Sequence, residues 1–133
     1  MSFTGLTHAT ILVDDYDEAL DFYVETLDFE KREDEEMPEG GRWVTVSPTA
    51  DEEFPQFALV EADTDEKRER VGSQVGDHVL YVLTTDDCRE TYETLRERGV
   101  EFHGEPSEVP WGIEVTFEDC YGNVFDLLEP SEG

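Results

Sequence analysis

The chain has 133 residues, a length that fits one domain spanning residues 1–133 and leaves no room for two domains of ordinary size. Hydrophobic residues make up 37% of it, so a packed interior is expected and a wholly disordered chain is not. With 9 Lys and Arg against 36 Asp and Glu, the formal net charge is −27. Such a chain repels phosphate groups, so neither nucleic acid nor a membrane is expected as a partner.

The acidic residues are spread along the whole chain, and lysine occurs only at Lys31 and Lys67. This pattern resembles that of proteins from salt-accumulating halophiles, in which concentrated counterions screen the repulsion between carboxylates. An acidic protein from an ordinary mesophile is the alternative. The two cysteines, Cys88 and Cys120, and an N-terminus without a basic segment followed by an apolar one indicate a reduced cytoplasm.

The first half of the chain reads as a strand, a helix and three further strands. The apolar run at 5–13 predicts the first strand, and Asp14 or Asp15 after it can cap a helix. Helical spacing then places one apolar stripe on an acidic helix, formed by Tyr16, Ala19, Leu20, Tyr23 and Leu27. Strands are predicted near 29–36, 42–47 and 56–61, which gives a first module at about 3–61.

The same order of elements repeats after a charged connector at 62–76, which contains one predicted helical turn around Asp65–Arg70. His78–Thr84 predicts a strand, and Thr85 or Asp86 can cap the helix that follows. The stripe of that helix is Cys88, Tyr92 and Leu95, and Gly99 ends it. Strands near 101–105, 113–118 and 124–129 complete a second module at about 77–130.

Two short similarities between the halves indicate an internal duplication. The segment YVETL at 23–27 resembles YETL at 92–95, and FALVE at 57–61 resembles FDLLE at 125–129. Both matches occur in the same order and at nearly the same offset. The two modules are therefore interpreted as repeats of one unit.

Strand alternation places the chemically active side chains on shared faces. His8 shares a face with Thr10 and Leu12, and His78 shares one with Leu80 and Val82. The corresponding sets on the last strand of each module are Gln56, Ala58 and Val60, and Val124, Asp126 and Leu128. If these faces line one curved sheet, two histidines and one carboxylate converge.

Four segments together resemble the vicinal oxygen chelate superfamily, which includes glyoxalase I, extradiol dioxygenases, bleomycin-resistance proteins and methylmalonyl-CoA epimerase. The segments are LTHATILVDD, ALDFYVETLDFE, GDHVLYV and FEDCYGNVFDLLEP. The resemblance implies an α+β fold in which paired βαβββ modules form a curved sheet cup with helices on the outer face. It also implies a homodimer.

The resemblance further implies metal ligands on the first and last strand of each module. The matching positions are His8, His78 and Asp126, the last of which follows the turn glycine Gly122 by four residues. The fourth position is Ala58, which cannot bind a metal, so the fourth ligand is missing unless Gln56 reaches in from about 7 Å further along the strand. Two imidazoles and one carboxylate suit a single divalent ion such as Fe, Mn, Co, Ni or Zn, and the absence of any metal is the alternative.

Two tryptophans predict a pocket for an apolar substrate. Trp43 and Trp111 are expected to line it together with Gln56 and Ala58, although aromatic strand residues are often plain core. His103 has no counterpart in the other module and is expected at a pocket rim or on the surface. The sequence assigns no catalytic residue.

Two functions follow from this reading, and a purely structural or protein-interaction module ranks after both. The first is a metal-dependent enzyme, dioxygenase-like or lyase- and isomerase-like, acting on a small oxygenated metabolite chelated to the metal. The second is a metal-free protein that binds and sequesters a small molecule, of the bleomycin-resistance type. A protein that no longer binds a metal can lose its ligands. Ala58 at a ligand position and the short side chain of Asp126 are consistent with this second function.

Overall fold

The computed structural model describes residues 2–132. Contacts within the chain define two compact units: unit 1 runs to Glu69 and unit 2 begins at Arg70. Helix α2 (Asp65–Arg70) lies at this boundary, at the position of the helical turn predicted in the connector. None of its residues is buried. No helix in the described part of the chain is long and apolar enough to cross a membrane.

Unit 1 has the predicted order of one strand, one helical segment and three strands. Its elements are β1 (His8–Val13), α1 (Tyr16–Leu20), a π-helix (Asp21–Thr26), β2 (Glu30–Glu36), β3 (Arg42–Ser47) and β4 (Gln56–Glu61). The sheet order is β1-β4-β3-β2, with β1 parallel to β4 and the other pairs antiparallel. Asp15 caps α1 by accepting a hydrogen bond from the N–H of Glu18 at 2.9 Å.

The helical segment differs from the prediction in its winding. The spacing of the apolar stripe predicts one α-helix, whereas the second half, Asp21–Thr26, is a π-helix. Ala19 and Tyr23 of the stripe are nevertheless fully buried, together with Val44 and Val46 of β3. The stripe therefore covers one face of the sheet, which leaves the other face of β1, β3 and β4 for the residues with polar side chains.

Unit 2 repeats this order with one additional short strand. Its elements are β5 (Val79–Thr84), α3 (Cys88–Glu97), β6 (Glu101–Phe102), β7 (Ser107–Val109), β8 (Gly112–Glu118) and β9 (Val124–Pro130). The sheet order is β5-β9-β8-β6, and β7 pairs with β8. The predicted stripe of α3, Cys88, Tyr92 and Leu95, is buried. The α+β class and the two βαβββ modules are confirmed.

Three details of unit 2 correct the sequence prediction. Asp87 rather than Thr85 or Asp86 caps α3, because its backbone is extended and its side chain accepts from the N–H of Glu90 at 3.0 Å. Strand β5 begins at Val79, so His78 belongs to the preceding turn, where its N–H points to the carbonyl of Val75. Strand β6 ends at Phe102, and the sequence did not predict β7.

The turn between β8 and β9 is fixed by one buried carboxylate. Asp119 accepts hydrogen bonds from the N–H of Tyr121 at 2.9 Å, the N–H of Asn123 at 2.8 Å and the side-chain amide of Asn123 at 2.8 Å. Gly72 packs against this turn with φ +80°, and a Cβ there would overlap the carbonyl oxygen of Tyr121. The turn sets the register in which Thr116 of β8 lies opposite Asp126 of β9.

Candidate functional site

In unit 1, three of the predicted residues come together on one sheet face. His8, at the start of β1, lies level with Gln56 of β4. The ring of His8 is 5.4 Å from the ring of Trp43, and its Nδ1 is 3.0 Å from the hydroxyl of Thr7. Nε2 of His8 and Oε1 of Gln56 are buried without a hydrogen-bond partner. His8 therefore places a polar ring beside the Trp43 ring on this face.

Ala58 continues this face next to a residue that the sequence analysis missed. It is buried and lies opposite Thr45 of β3. Thr45 is fully buried, and its hydroxyl oxygen also lacks a partner. Alternation along β3 could have placed Thr45 on the same face as Trp43. Only the register of β3 against β4 shows that Thr45 lies level with Ala58.

In unit 2, the structure contains an open cavity of about 360 Å³ on the face of the sheet that carries Asp126. We call it the β8–β9 cavity. Its lining consists of Val79, His103, Glu105, Ser107, Glu114, Val115, Thr116 and Asp126. Of the predicted site residues, Asp126 alone is in this lining. His78 is exposed in the turn before β5, and Asp126 lies level with Val82 instead.

Asp126 occupies an unusual electrostatic position in this cavity. Its Oδ1 is buried and has no hydrogen-bond partner. Glu114 lies opposite Leu128 on β9, which makes it the diagonal neighbour of Asp126 on the same face. Burial and the adjacent Glu114 carboxylate raise the pKa of Asp126 to about 7. The Asp126 carboxyl therefore keeps its proton in mildly acidic solution.

His103, expected at a pocket rim or on the surface, is exposed and lines the β8–β9 cavity. Its Nε2 is 2.7 Å from Oε2 of Glu118, and its Nδ1 is 3.0 Å from the hydroxyl of Thr116. Its backbone N–H donates to the carbonyl of Thr116 at 3.0 Å, which holds it beside β8. The alternation of EVTFE at 114–118 could have shown that Glu114, Thr116 and Glu118 share a face, but not that this face meets His103.

Trp111 lies in the turn between β7 and β8, with 56% of its surface exposed. Its indole N–H points to Oε2 of Glu114 at 3.4 Å. The structure thus links Trp111 to the cavity through Glu114, whereas Trp43, Gln56 and Ala58 belong to unit 1.

The predicted metal ligands are distributed over both units. Within residues 2–132, no three His, Cys, Asp or Glu side chains are grouped so that they could hold a metal ion. Across the β8–β9 pairing, Asp126 faces the hydroxyl of Thr116 and has the carboxylate of Glu114 as a diagonal neighbour. Neither is an imidazole. These residues do not fit the predicted His, His and Asp set, and the metal centre stays a prediction.

Residues 5–127 match the model of the Glyoxalase/Bleomycin resistance protein/Dioxygenase superfamily. The chain belongs to this superfamily. An uncharacterized protein from Shewanella frigidimarina (strain NCIMB 400) is 38% identical over 126 residues, which cover 94% of this chain and 93% of the relative.

Two solved structures are similar over nearly the whole chain. The crystal structure of UcmS2 has a TM-score of 0.84 and 36% identity, covering 96% of this chain and 99% of that one. TnmS3, an antibiotic binding protein from Streptomyces sp. CB03234, has a TM-score of 0.78 and 31% identity, covering 98% of this chain and 99% of that one. The superfamily thus includes a protein of this architecture that binds an antibiotic.

Proposed function

We propose that this protein binds a small organic molecule in the β8–β9 cavity and holds it unchanged, without a metal. A volume of about 360 Å³ lies within the range of about 300–1,000 Å³ that is usual for ligand pockets. The lining combines apolar contact from Val79 and Val115 with polar groups that can orient a ligand. Six of the eight lining residues are polar, so the cavity suits a small molecule that carries polar groups.

The observation that carries the proposal is the unpaired Oδ1 of Asp126 in the wall of this cavity. A buried acceptor without a partner costs about 1–3 kcal/mol in a folded protein. A ligand with an N–H or O–H group would satisfy it and recover part of that cost. Above about pH 7, where Asp126 is ionised, the protein therefore gains more from a bound molecule that donates a hydrogen bond than from an apolar one.

The similarity to TnmS3 supports a binding role, since that protein is described as an antibiotic binding protein. The buried, apolar Ala58 supports it as well, because the superfamily resemblance expects a metal ligand at that position. The metal-dependent enzyme with His8, His78 and Asp126 as ligands remains the competing prediction. A homodimer remains a prediction too, and the proposed binding does not depend on it.

The test is calorimetric binding to protein that has been treated with EDTA. The probes are a panel of small antibiotics that includes chloramphenicol and trimethoprim. We expect at least one to bind with an affinity that Zn²⁺, Mn²⁺ or Fe²⁺ leaves unchanged, and to be recovered intact by mass spectrometry. Asp126→Asn should weaken this binding about tenfold or more, because it replaces a carboxylate acceptor in the cavity.

His78→Ala is the matched control. Under the proposal it leaves binding unchanged, because His78 does not line the cavity. Binding that requires a divalent metal, or that is lost in His78→Ala, would establish the metal centre and overturn the proposal. Chemical conversion of the bound probe would show that the protein is an enzyme and would also overturn the proposal.

A further inference from the structure

A chain of three side chains runs along the wall of the β8–β9 cavity. Glu118 contacts Nε2 of His103 at 2.7 Å, and Nδ1 of His103 contacts the hydroxyl of Thr116 at 3.0 Å. Thr116 and His103 both line the cavity, and Thr116 lies directly opposite Asp126 in the sheet. The imidazole therefore connects a carboxylate outside the lining to a hydroxyl inside it.

The chemistry of these groups determines where the protons lie. An ionised carboxylate only accepts hydrogen bonds, so Nε2 of His103 must carry the hydrogen that points to Glu118. In the neutral ring, Nδ1 is then a lone-pair acceptor, and the hydroxyl of Thr116 must donate to it. The opposite tautomer would place the lone pair of Nε2 against the carboxylate at 2.7 Å, which is repulsive.

Once its hydrogen points to His103, the oxygen of Thr116 offers only lone pairs to the cavity. The facing residue, Asp126, contributes an unpaired carboxylate oxygen, and the carboxylates of Glu105 and Glu114 belong to the same lining. Across the sheet, opposite residues have Cβ atoms about 4.5–5.5 Å apart, so one N–H or O–H group can reach both Thr116 and Asp126.

Building on the proposed function, we infer that Glu118, acting through His103, makes Thr116 a hydrogen-bond acceptor and so selects ligands that donate an N–H or O–H group between Thr116 and Asp126. Glu118 and His103 are positioning residues, and Thr116 and Asp126 contact the ligand. The ligand class is an organic molecule with an amide, amine or hydroxyl donor. A molecule with only ether or ester oxygens at that point has no hydrogen to donate to Thr116 or Asp126, so it should bind more weakly.

The first test does not depend on any ligand. Long-range ¹H–¹⁵N spectra of the ligand-free protein at pH 8 distinguish the two neutral tautomers and the imidazolium. The signals of His103 are identified by their loss in His103→Asn. We expect the neutral ring with its hydrogen on Nε2. A ring with its hydrogen on Nδ1, or with both nitrogens protonated, would overturn the inference.

The second test compares N-methylbenzamide with methyl benzoate, which differ in a single N–H replaced by O. Binding is followed at pH 8 through the backbone amide shifts of Thr116 and Asp126. We expect the amide to bind about tenfold more tightly. Thr116→Ser should keep this preference, since it retains the hydroxyl, and Thr116→Val should reduce it several-fold, because Asp126 alone then accepts from the amide. Equal affinities, or a preference unchanged in Thr116→Val, would overturn the inference.

Glu118→Gln tests the role of the remote carboxylate. A glutamine amide can donate to Nε2 as well as accept from it, so the tautomer is no longer fixed and Thr116 regains a hydrogen to donate. We expect the preference for the amide to shrink several-fold while the fold is retained. If neither probe shifts the cavity amides, binding in this cavity is refuted, and the tautomer measurement still decides the assignment of Thr116.

Discussion

Arg42 holds Asp34 through two parallel hydrogen bonds, from Nε to Oδ1 at 2.7 Å and from Nη2 to Oδ2 at 2.8 Å. The pair links β2 to β3 at the register where Asp34 lies opposite Val44. These hydrogen bonds from Arg42 lower the pKa of Asp34 to about 2. In a chain of net charge −27, this cation offsets the repulsion between neighbouring carboxylates.

The Arg42–Asp34 pair should stabilise the protein in a pH-dependent way. Because the folded-state pKa of Asp34 is below its unfolded value, the stabilisation is complete above about pH 4 and is lost as the pH falls through about 2. Both side chains are partly exposed, so we expect Arg42→Met to cost about 1 kcal/mol in urea unfolding at pH 7. The difference from wild type should shrink toward pH 2. A constant difference at both pH values would show that Arg42 acts by packing alone.

Asp126 should have the opposite pH dependence. Its folded-state pKa of about 7 lies above the unfolded value, so the folded state holds the extra proton and loses stability as the pH rises from about 4 to 7. We expect Asp126→Asn to be more stable than wild type at pH 8, by about 1 kcal/mol, and to lose this advantage at pH 4. Carboxyl ¹³C titration should show the Asp126 transition near neutrality, moving lower in Glu114→Gln. Parallel stability curves for wild type and Asp126→Asn would contradict the raised pKa.

Asp119 should be important for folding rather than for binding. Replacing it with alanine leaves without an acceptor the buried N–H and side-chain amide of Asn123 and the partly buried N–H of Tyr121. We expect a loss of about 2–3 kcal/mol in the free energy of unfolding. Asp86→Ala, at an exposed position, is the control and should change stability by less than about 0.5 kcal/mol. Similar values for the two variants would rule out the proposed role of the turn.

Salt should stabilise the protein strongly if the halophile-like composition reflects its working conditions. At net charge −27, repulsion opposes folding at low ionic strength, and it is screened when the Debye length falls from about 10 Å at 0.1 M to about 3 Å at 1 M. We expect the melting temperature to rise between roughly 0.1 M and 2 M KCl, measured by circular dichroism. A melting temperature that does not change would favour an acidic protein from an ordinary mesophile.

Sequence periodicity predicted the strands of unit 1 closely, because alternation and turn residues are local signals. The bounds 42–47 and 56–61 match β3 and β4. The π-helix at Asp21–Thr26 could not be predicted, since its residues have ordinary α-helical spacing. The strand predicted at His78–Thr84 begins one residue later, at Val79, because an apolar run does not show where hydrogen bonding to the neighbouring strand begins.

The candidate site was predicted only in part. Alternation placed Asp126 on the correct face, but its neighbours Glu114 and Thr116 depend on the β8–β9 register, which the hydrogen bonds of Asp119 determine. The contact of His103 with Glu118 depends on β6, a strand of two residues with no periodicity of its own. Such contacts across strands require the three-dimensional arrangement.

Gly72 packs closely against the carbonyl of Tyr121, and this contact indicates where the chain can be divided between its two modules. Any side chain at position 72 would push against the turn between β8 and β9, so the segment from Gly72 onward belongs with the second module. Helix α2 buries no side chain, and a break within it would remove none from either core. Splitting the coding sequence there gives two polypeptides, one per module, with which to ask whether either module folds without the other.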